Sequence, residues 1–139
     1  MQSSAEEDLV LAKFEDGEDL FAKIEEMAAK HRIENGMVMW AIGMVRDLEV
    51  GYFHGKEYER ATFAEPLELL SLHGTFAARA DPKLHVHVAA GGRDHRVVGG
   101  HVFRGTVSTL NEICIWRLHS TRLDRVLNRR SGLKELTIH

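Results

Sequence analysis

The chain has 139 residues, of which 44% are hydrophobic and 28% charged, and its net charge is −3. This composition is typical of one globular domain and excludes disordered, collagen-like and coiled-coil proteins. The negative charge argues against a general nucleic-acid binder, and the single cysteine, Cys114, excludes an intramolecular disulfide. No apolar run can span a bilayer and the acidic N-terminus lacks a signal-peptide pattern, so we expect a cytoplasmic protein without a membrane segment.

The first quarter of the chain predicts a strand followed by a helix. Leu9–Phe14 is apolar on both faces except at Lys13, as in a buried strand. The acidic segment 15–19 predicts a helix N-terminus capped by Asp16, because negative charge is favourable there. Asn35-Gly36 predicts the end of the helical segment. Between these two points an apolar stripe recurs at helical spacing, formed by Leu20, Phe21, Ile24, Met27 and Ala28.

The rest of the chain predicts strands and turns. A nine-residue apolar run, Met37–Val45, predicts a strand buried on both faces, and a hairpin is predicted over 46–63. The last twenty residues predict a short turn of helix and a covering strand. We therefore expect a single domain over 1–139, with a core of about 9–136, in an α+β (two-layer α/β) fold. Its mostly antiparallel sheet has about seven strands and one prominent helix, the later strands lying at 66–76, 84–90, 97–103 and 106–118.

Nine histidines are the unusual feature of the composition. His85 and His87 are two residues apart on a predicted strand, so both rings point to one face and can converge on a metal ion. His101 is expected on the return strand of the same hairpin, and His73 on the preceding strand is a fourth candidate ligand. Three histidines leave zinc an open position for water or substrate, whereas four make the site structural. The alternative is that these are strand histidines bonded to backbone or solvent.

The segment 117–134 is basic, with six arginine or lysine residues against one aspartate. It predicts one basic patch on an acidic protein, and any DNA binding is expected to run through it. The alternative is a solvated tail or a complement to acidic neighbours. The DNA-contact candidates are Arg122, Arg125, Arg129 and Arg130.

Five sequence blocks follow one another along the chain: GEDLFAKIEEMAAKHRIENG, AIGMVRDLEVGYF, PLELLSLHGTF, LHVHVAA and RVVGGHVFRGTV. Together they resemble the PPC domain, the plants and prokaryotes conserved domain, and the resemblance runs from about Leu9 to Leu136. It implies a mainly antiparallel sheet with one helix, a homotrimer, and a metal site on His85, His87 and His101. His73 occupies the LSLxGT position. Plant members carry AT-hooks that bind DNA, whereas stand-alone prokaryotic members are often labelled as DNA-binding without one, and this chain has no AT-hook.

Two functions follow from these observations. The first is a stand-alone PPC-domain regulatory trimer that assembles with itself or with partners, binds zinc or another divalent transition metal, and binds DNA weakly. The alternative is a metal-dependent enzyme or small-ligand-binding protein that uses the histidine cluster. Cupin oxygenases also use a His-x-His pair, but they usually add a glutamate shortly after it, and here Val88-Ala-Ala-Gly-Gly follows. The sequence names no general base, which weighs against an enzyme.

Overall fold

One helix and nine strands form the fold in the computed structural model, which describes residues 1–139. Seven strands make one antiparallel sheet in the order β1-β2-β7-β6-β5-β3-β4, and β8 and β9 form a separate hairpin. The predicted α+β class is confirmed. The elements are β1 (Gln2–Glu6), β2 (Leu9–Glu15), α1 (Leu20–Lys30), β3 (Asn35–Phe53), β4 (Tyr58–Phe63), β5 (Leu67–Ala77), β6 (Leu84–Gly91), β7 (Val97–Arg117), β8 (Leu123–Leu127) and β9 (Lys134–Ile138).

Two long strands organise the sheet. β3 has 19 residues and β7 has 21, and they pair with each other as well as with their other neighbours. Strands β7, β6, β5 and β3 therefore pair in a closed cycle. The sequence predicted shorter separate strands because bulges interrupt the apolar alternation of both. At one bulge Gly43 has φ +126°, and a Cβ there would lie 2.2 Å from the carbonyl oxygen of Leu110, so only glycine fits.

The boundaries of the helical segment differ from the prediction. The N-cap is Asp19, whose carboxylate accepts a hydrogen bond from the backbone N–H of Ala22 at 2.8 Å. The predicted cap, Asp16, is wrong, because its carboxylate instead accepts hydrogen bonds from Arg46 and from the backbone N–H of Thr109. Asn35-Gly36 begins β3 rather than ending the helix, which closes at Lys30.

The N-terminus forms a strand that the sequence did not predict, and the C-terminus forms two strands where a turn of helix and one covering strand were expected. β1 pairs with β2, and the last segment is the β8–β9 hairpin without any helical turn. The predicted turn of helix is therefore wrong. In β8 the inward positions are Leu123 and Arg125, so a charged residue occupies a buried place and conceals the alternation of a strand.

The core is formed by α1 and the strands of the seven-stranded sheet. α1 buries Leu20, Ile24, Met27 and Ala28, the stripe predicted from spacing with the exception of Phe21, and it packs on β2 and β7. One cluster of 25 buried residues joins these side chains to strands β2, β3, β5, β6 and β7. No helix is long and apolar enough to cross a membrane.

Candidate metal centre and adjoining cavity

Three neighbouring strands place the candidate histidines on one face of the sheet. In the register of β5, β6 and β7, His73 lies opposite His87, and His87 lies opposite His101. His85 is two residues along β6, so its side chain shares that face. The hairpin register expected from sequence placed His101 opposite residues 85–89, and the structure has it opposite 87.

The ring nitrogens of His85, His87 and His101 converge. One ligand atom from each lies within 4.8 Å of the other two, and Nε2 of His85 is 3.2 Å from Nε2 of His87. Tetrahedral zinc with Zn–N bonds of about 2.0–2.1 Å holds its ligand nitrogens about 3.3 Å apart. The pair on β6 already has this spacing. His73 is exposed and is not part of the converging group, although it shares the face.

The electrostatics of the cluster favour neutral imidazoles. Burial, followed by the nearby His85, His87 and Arg125, lowers the pKa of His101 to about 4. Burial, followed by the charge of Arg125, also lowers the pKa of His85 below its usual value. Metal ligation requires neutral imidazole, so both rings are in the ligating form near neutral pH. Nδ1 of His101 is buried and has no hydrogen-bond partner, which fits a site completed by a further group.

Close packing holds the rings in place. The ring of Tyr58 lies 4.9 Å from that of His101, and the ring of Phe103 packs edge-on against it at 4.8 Å. On the other side, Gly74 allows β5 to approach β6, because a Cβ there would lie 1.9 Å from the carbonyl oxygen of His85. The cluster is therefore positioned by the sheet and by aromatic contacts rather than by loops.

Arg125 reaches this cluster from β8. It is 7% exposed, and its Nη1 lies 3.4 Å from Nδ1 of His85. Its Nε donates to the carbonyl oxygen of Pro82 at 3.1 Å and its Nη2 donates to Oγ1 of Thr75 at 2.7 Å. No carboxylate lies within ion-pair distance of its guanidinium. Burial lowers its pKa from the usual value.

The other three basic candidates do not join Arg125. Arg122, Arg129 and Arg130 are exposed on the β8–β9 hairpin and form no ion pair. The four arginines predicted as one patch thus divide into one buried beside the histidines and three on the surface. Sequence reasoning missed the position of Arg125, although its two-residue spacing from the apolar Leu123 was a usable signal.

A cavity of about 360 Å³ opens beside the cluster. Sequence reasoning did not identify its walls, because the β8–β9 hairpin that closes it is distant in the chain. Its lining residues are Tyr58, Pro82, His85, His101, Arg125 and residues 132–136.

Comparisons with known proteins identify the family. The model of the Plants and Prokaryotes Conserved (PCC) domain matches residues 1–119, and the chain belongs to this family. The structure of a metal-containing protein from Archaeoglobus fulgidus is 33% identical, with a TM-score of 0.83 over 93% of this chain and 92% of that chain. The sequence resemblance to the PPC domain is thereby confirmed. No curated protein matches the sequence.

Two further solved structures share the fold. A plant- and prokaryote-conserved (PPC) protein from Pyrococcus horikoshii is 25% identical, with a TM-score of 0.79 over 96% of this chain and 93% of that chain. A protein from Bacteroides thetaiotaomicron, described as a "putative DNA binding protein", is 20% identical, with a TM-score of 0.87 over 98% and 96% of the two chains. At that identity the last comparison bears on the fold alone.

Proposed function

We propose that this PCC-domain protein binds a divalent transition metal ion, zinc first, through His85, His87 and His101, and offers it to a small ligand in the adjoining cavity. The observation that carries the proposal is the convergence of three ring nitrogens within 4.8 Å from two neighbouring strands. The metal-containing relative from Archaeoglobus fulgidus supports it. Three histidine ligands leave zinc one exchangeable position, and in that position zinc acts as a Lewis acid.

The chain's own residues define what the site does. The three imidazoles supply the ligand atoms, while Tyr58 and Phe103 hold the ring of His101 in orientation. Copper, iron and nickel also accept imidazole ligands, and zinc is preferred because the spacing on β6 matches tetrahedral Zn–N geometry. No carboxylate belongs to the converging group and no general base can be named, so the proposal is ligand binding rather than catalysis.

The test is the metal content of protein purified without an affinity tag, measured by mass spectrometry after zinc loading and desalting. We expect about one zinc per chain in the wild type and a loss of at least tenfold in affinity for His85→Ala, His87→Ala and His101→Ala. His54→Ala is the control, since its ring does not belong to the converging group, and His73→Ala tests for a fourth ligand. Equal zinc in all variants, or none in the wild type, contradicts the proposal.

We further propose that the protein is a homotrimer assembled through the outer face of β2, β7 and β3. Two cross-strand rows on that face bring apolar side chains together, Leu9–Trp116–Met37 and Leu11–Cys114–Trp40. All of these except Cys114 are large and exposed in the single chain. A contiguous exposed apolar patch of this kind marks an interaction surface. We call these two rows the apolar face.

DNA binding is the second candidate function, and the observation that favours it is the set of three exposed arginines without ion pairs on the β8–β9 hairpin. The net charge of −3 limits it to weak binding that falls steeply with salt. The test is anisotropy of a labelled duplex at increasing salt, and tight binding at physiological salt contradicts the weak mode. Arg125 is not included among the contacts, because its guanidinium is buried.

A further inference from the structure

The cavity beside the histidine cluster has a charge imbalance. Its lining includes the imidazoles of His85 and His101 and the buried guanidinium of Arg125, and no carboxylate pairs with that guanidinium. Glu135 also lines the cavity, but its carboxylate forms no ion pair with Arg125 and accepts hydrogen bonds from Asn128 at 2.8 Å and Ser131 at 2.6 Å. Lys134, also in the lining, pairs with Asp81. With a divalent ion bound, the positive charge of the ion and of Arg125 therefore exceeds the single negative charge of Glu135, and a buried charge is stable only when it is paired.

The hydrogen-bonding atoms of His85 and Arg125 also require an acceptor. Nε2 of His85 faces His87, and Nδ1 of His85 faces Nη1 of Arg125. A metal ion on Nε2 leaves the proton of the neutral ring on Nδ1, and a guanidinium has only donors. Two donors then face each other at 3.4 Å, so Nη1 of Arg125 still requires an acceptor from another group.

The remaining walls determine what kind of molecule carries that acceptor. Tyr58, Pro82, Leu133 and Leu136 present largely apolar surface to the cavity. A pocket with a few convergent polar groups at one end and apolar walls elsewhere is typical of a small organic ligand. A planar carboxylate matches the fork of an arginine and is also a ligand for zinc.

We propose that the cavity binds a small organic carboxylate, whose charged group lies between Arg125 and the metal ion and whose apolar body packs against Leu133, Leu136 and Tyr58. The inference rests on the proposed function, because the metal ion supplies half of the attraction. Arg125 is the residue that makes the site selective for an anion, and the β8–β9 hairpin is part of the binding site rather than only a cover.

The experiment uses tag-free protein loaded with cobalt(II), whose visible absorption reports changes in coordination. Benzoate is the probe, benzamide is its neutral equivalent in shape, and inorganic phosphate tests whether any oxyanion suffices. We expect a saturable spectral change with benzoate, and apparent affinities at least tenfold weaker for benzamide and for phosphate. Arg125→Gln should retain cobalt and bind benzoate at least tenfold more weakly, whereas Arg93→Gln, at an exposed turn arginine, should match the wild type.

The outcomes separate this inference from the proposed function. Cobalt that binds without a response to benzoate overturns the carboxylate site and leaves the metal site standing. A benzamide response equal to that of benzoate, or tighter binding of phosphate, also overturns it. Failure to bind cobalt overturns both proposals. Arg125 ties β8 to β5 and to the 82–85 region, so circular dichroism checks the fold of Arg125→Gln; if that variant does not fold, the benzoate and benzamide comparison in the wild type decides.

Discussion

Strand β7 contributes to two regions of the molecule that differ in polarity and in exposure. Near its start, His101 faces β6 and is enclosed by aromatic rings and the β8–β9 hairpin. Near its end, Trp116 lies between Leu9 and Met37, and 46% of its surface is exposed. The first region is polar and is enclosed by the chain itself, whereas the second is apolar and open. The proposed metal site therefore needs residues of one chain only, whereas the proposed trimer would cover the apolar face.

The largest expected effect comes from a charge on the apolar face. Trp116→Glu should convert a trimer into a monomer, because an unpaired buried carboxylate in each interface is costly. Light scattering after size exclusion should show the mass falling to one third at micromolar concentration. Tyr52→Glu, at an exposed position outside the two rows, should leave the trimer intact. A wild-type protein that is monomeric contradicts this picture of the apolar face.

The next largest expected effect is stabilisation by zinc, which should not depend on the trimer because the two regions are expected to be independent. Zinc at 100 times its dissociation constant should stabilise the protein by about 2.7 kcal/mol, visible as a rise in melting temperature of several degrees. His87→Ala should lose that rise and remain a trimer, while Trp116→Glu should retain it as a monomer. If zinc raised the melting temperature of the trimer only, the metal site would be shared between copies and the two regions would not be independent.

Acid should lower the free energy of unfolding of the metal-free protein over a defined range of pH. The pKa of His101 is about 4 in the folded protein and near 6.5 in the unfolded chain. Between these values the unfolded chain binds a proton that the folded protein does not, so this contribution to stability is complete above pH 6.5 and decreases as pH falls towards 4. Urea unfolding of protein freed of metal by a chelator should show a smaller decrease in the free energy of unfolding over pH 6.5–4.5 for His101→Gln than for the wild type. Equal decreases would contradict a neutral buried ring.

The smallest effect is expected on the affinity for DNA. Replacing Arg122, Arg129 and Arg130 together with glutamine should weaken an already weak, salt-dependent association, because each removes a phosphate contact. Fluorescence anisotropy at low salt measures the change. Metal content and benzoate binding should be unaffected, since none of these three exposed residues lines the cavity. Tight, sequence-selective binding by the wild type at physiological salt would contradict the weak mode.

The sequence predicted the elements whose patterns are local. α1 follows from an apolar stripe at helical spacing, and β6 from the alternation around His85 and His87. The caps were harder, since Asp16 and Asp19 both satisfy the local rule and only the contacts of Asp16 with β7 and Arg46 distinguish them. β3 and β7 were predicted in pieces, because a bulge shifts the alternation by one residue without ending the strand.

By itself, the sequence determined the α+β class, the family and the three histidines on one strand hairpin, because side-chain direction on a strand follows from residue spacing alone. The tertiary structure decided what surrounds them. Contacts between residues far apart in the chain bring Arg125 to His85, close the cavity with the β8–β9 hairpin, and align Leu9, Trp116 and Met37 on one exposed face. The local pattern of the sequence does not encode these contacts, because they depend on how the strands pair and on which face of the closed sheet each segment meets.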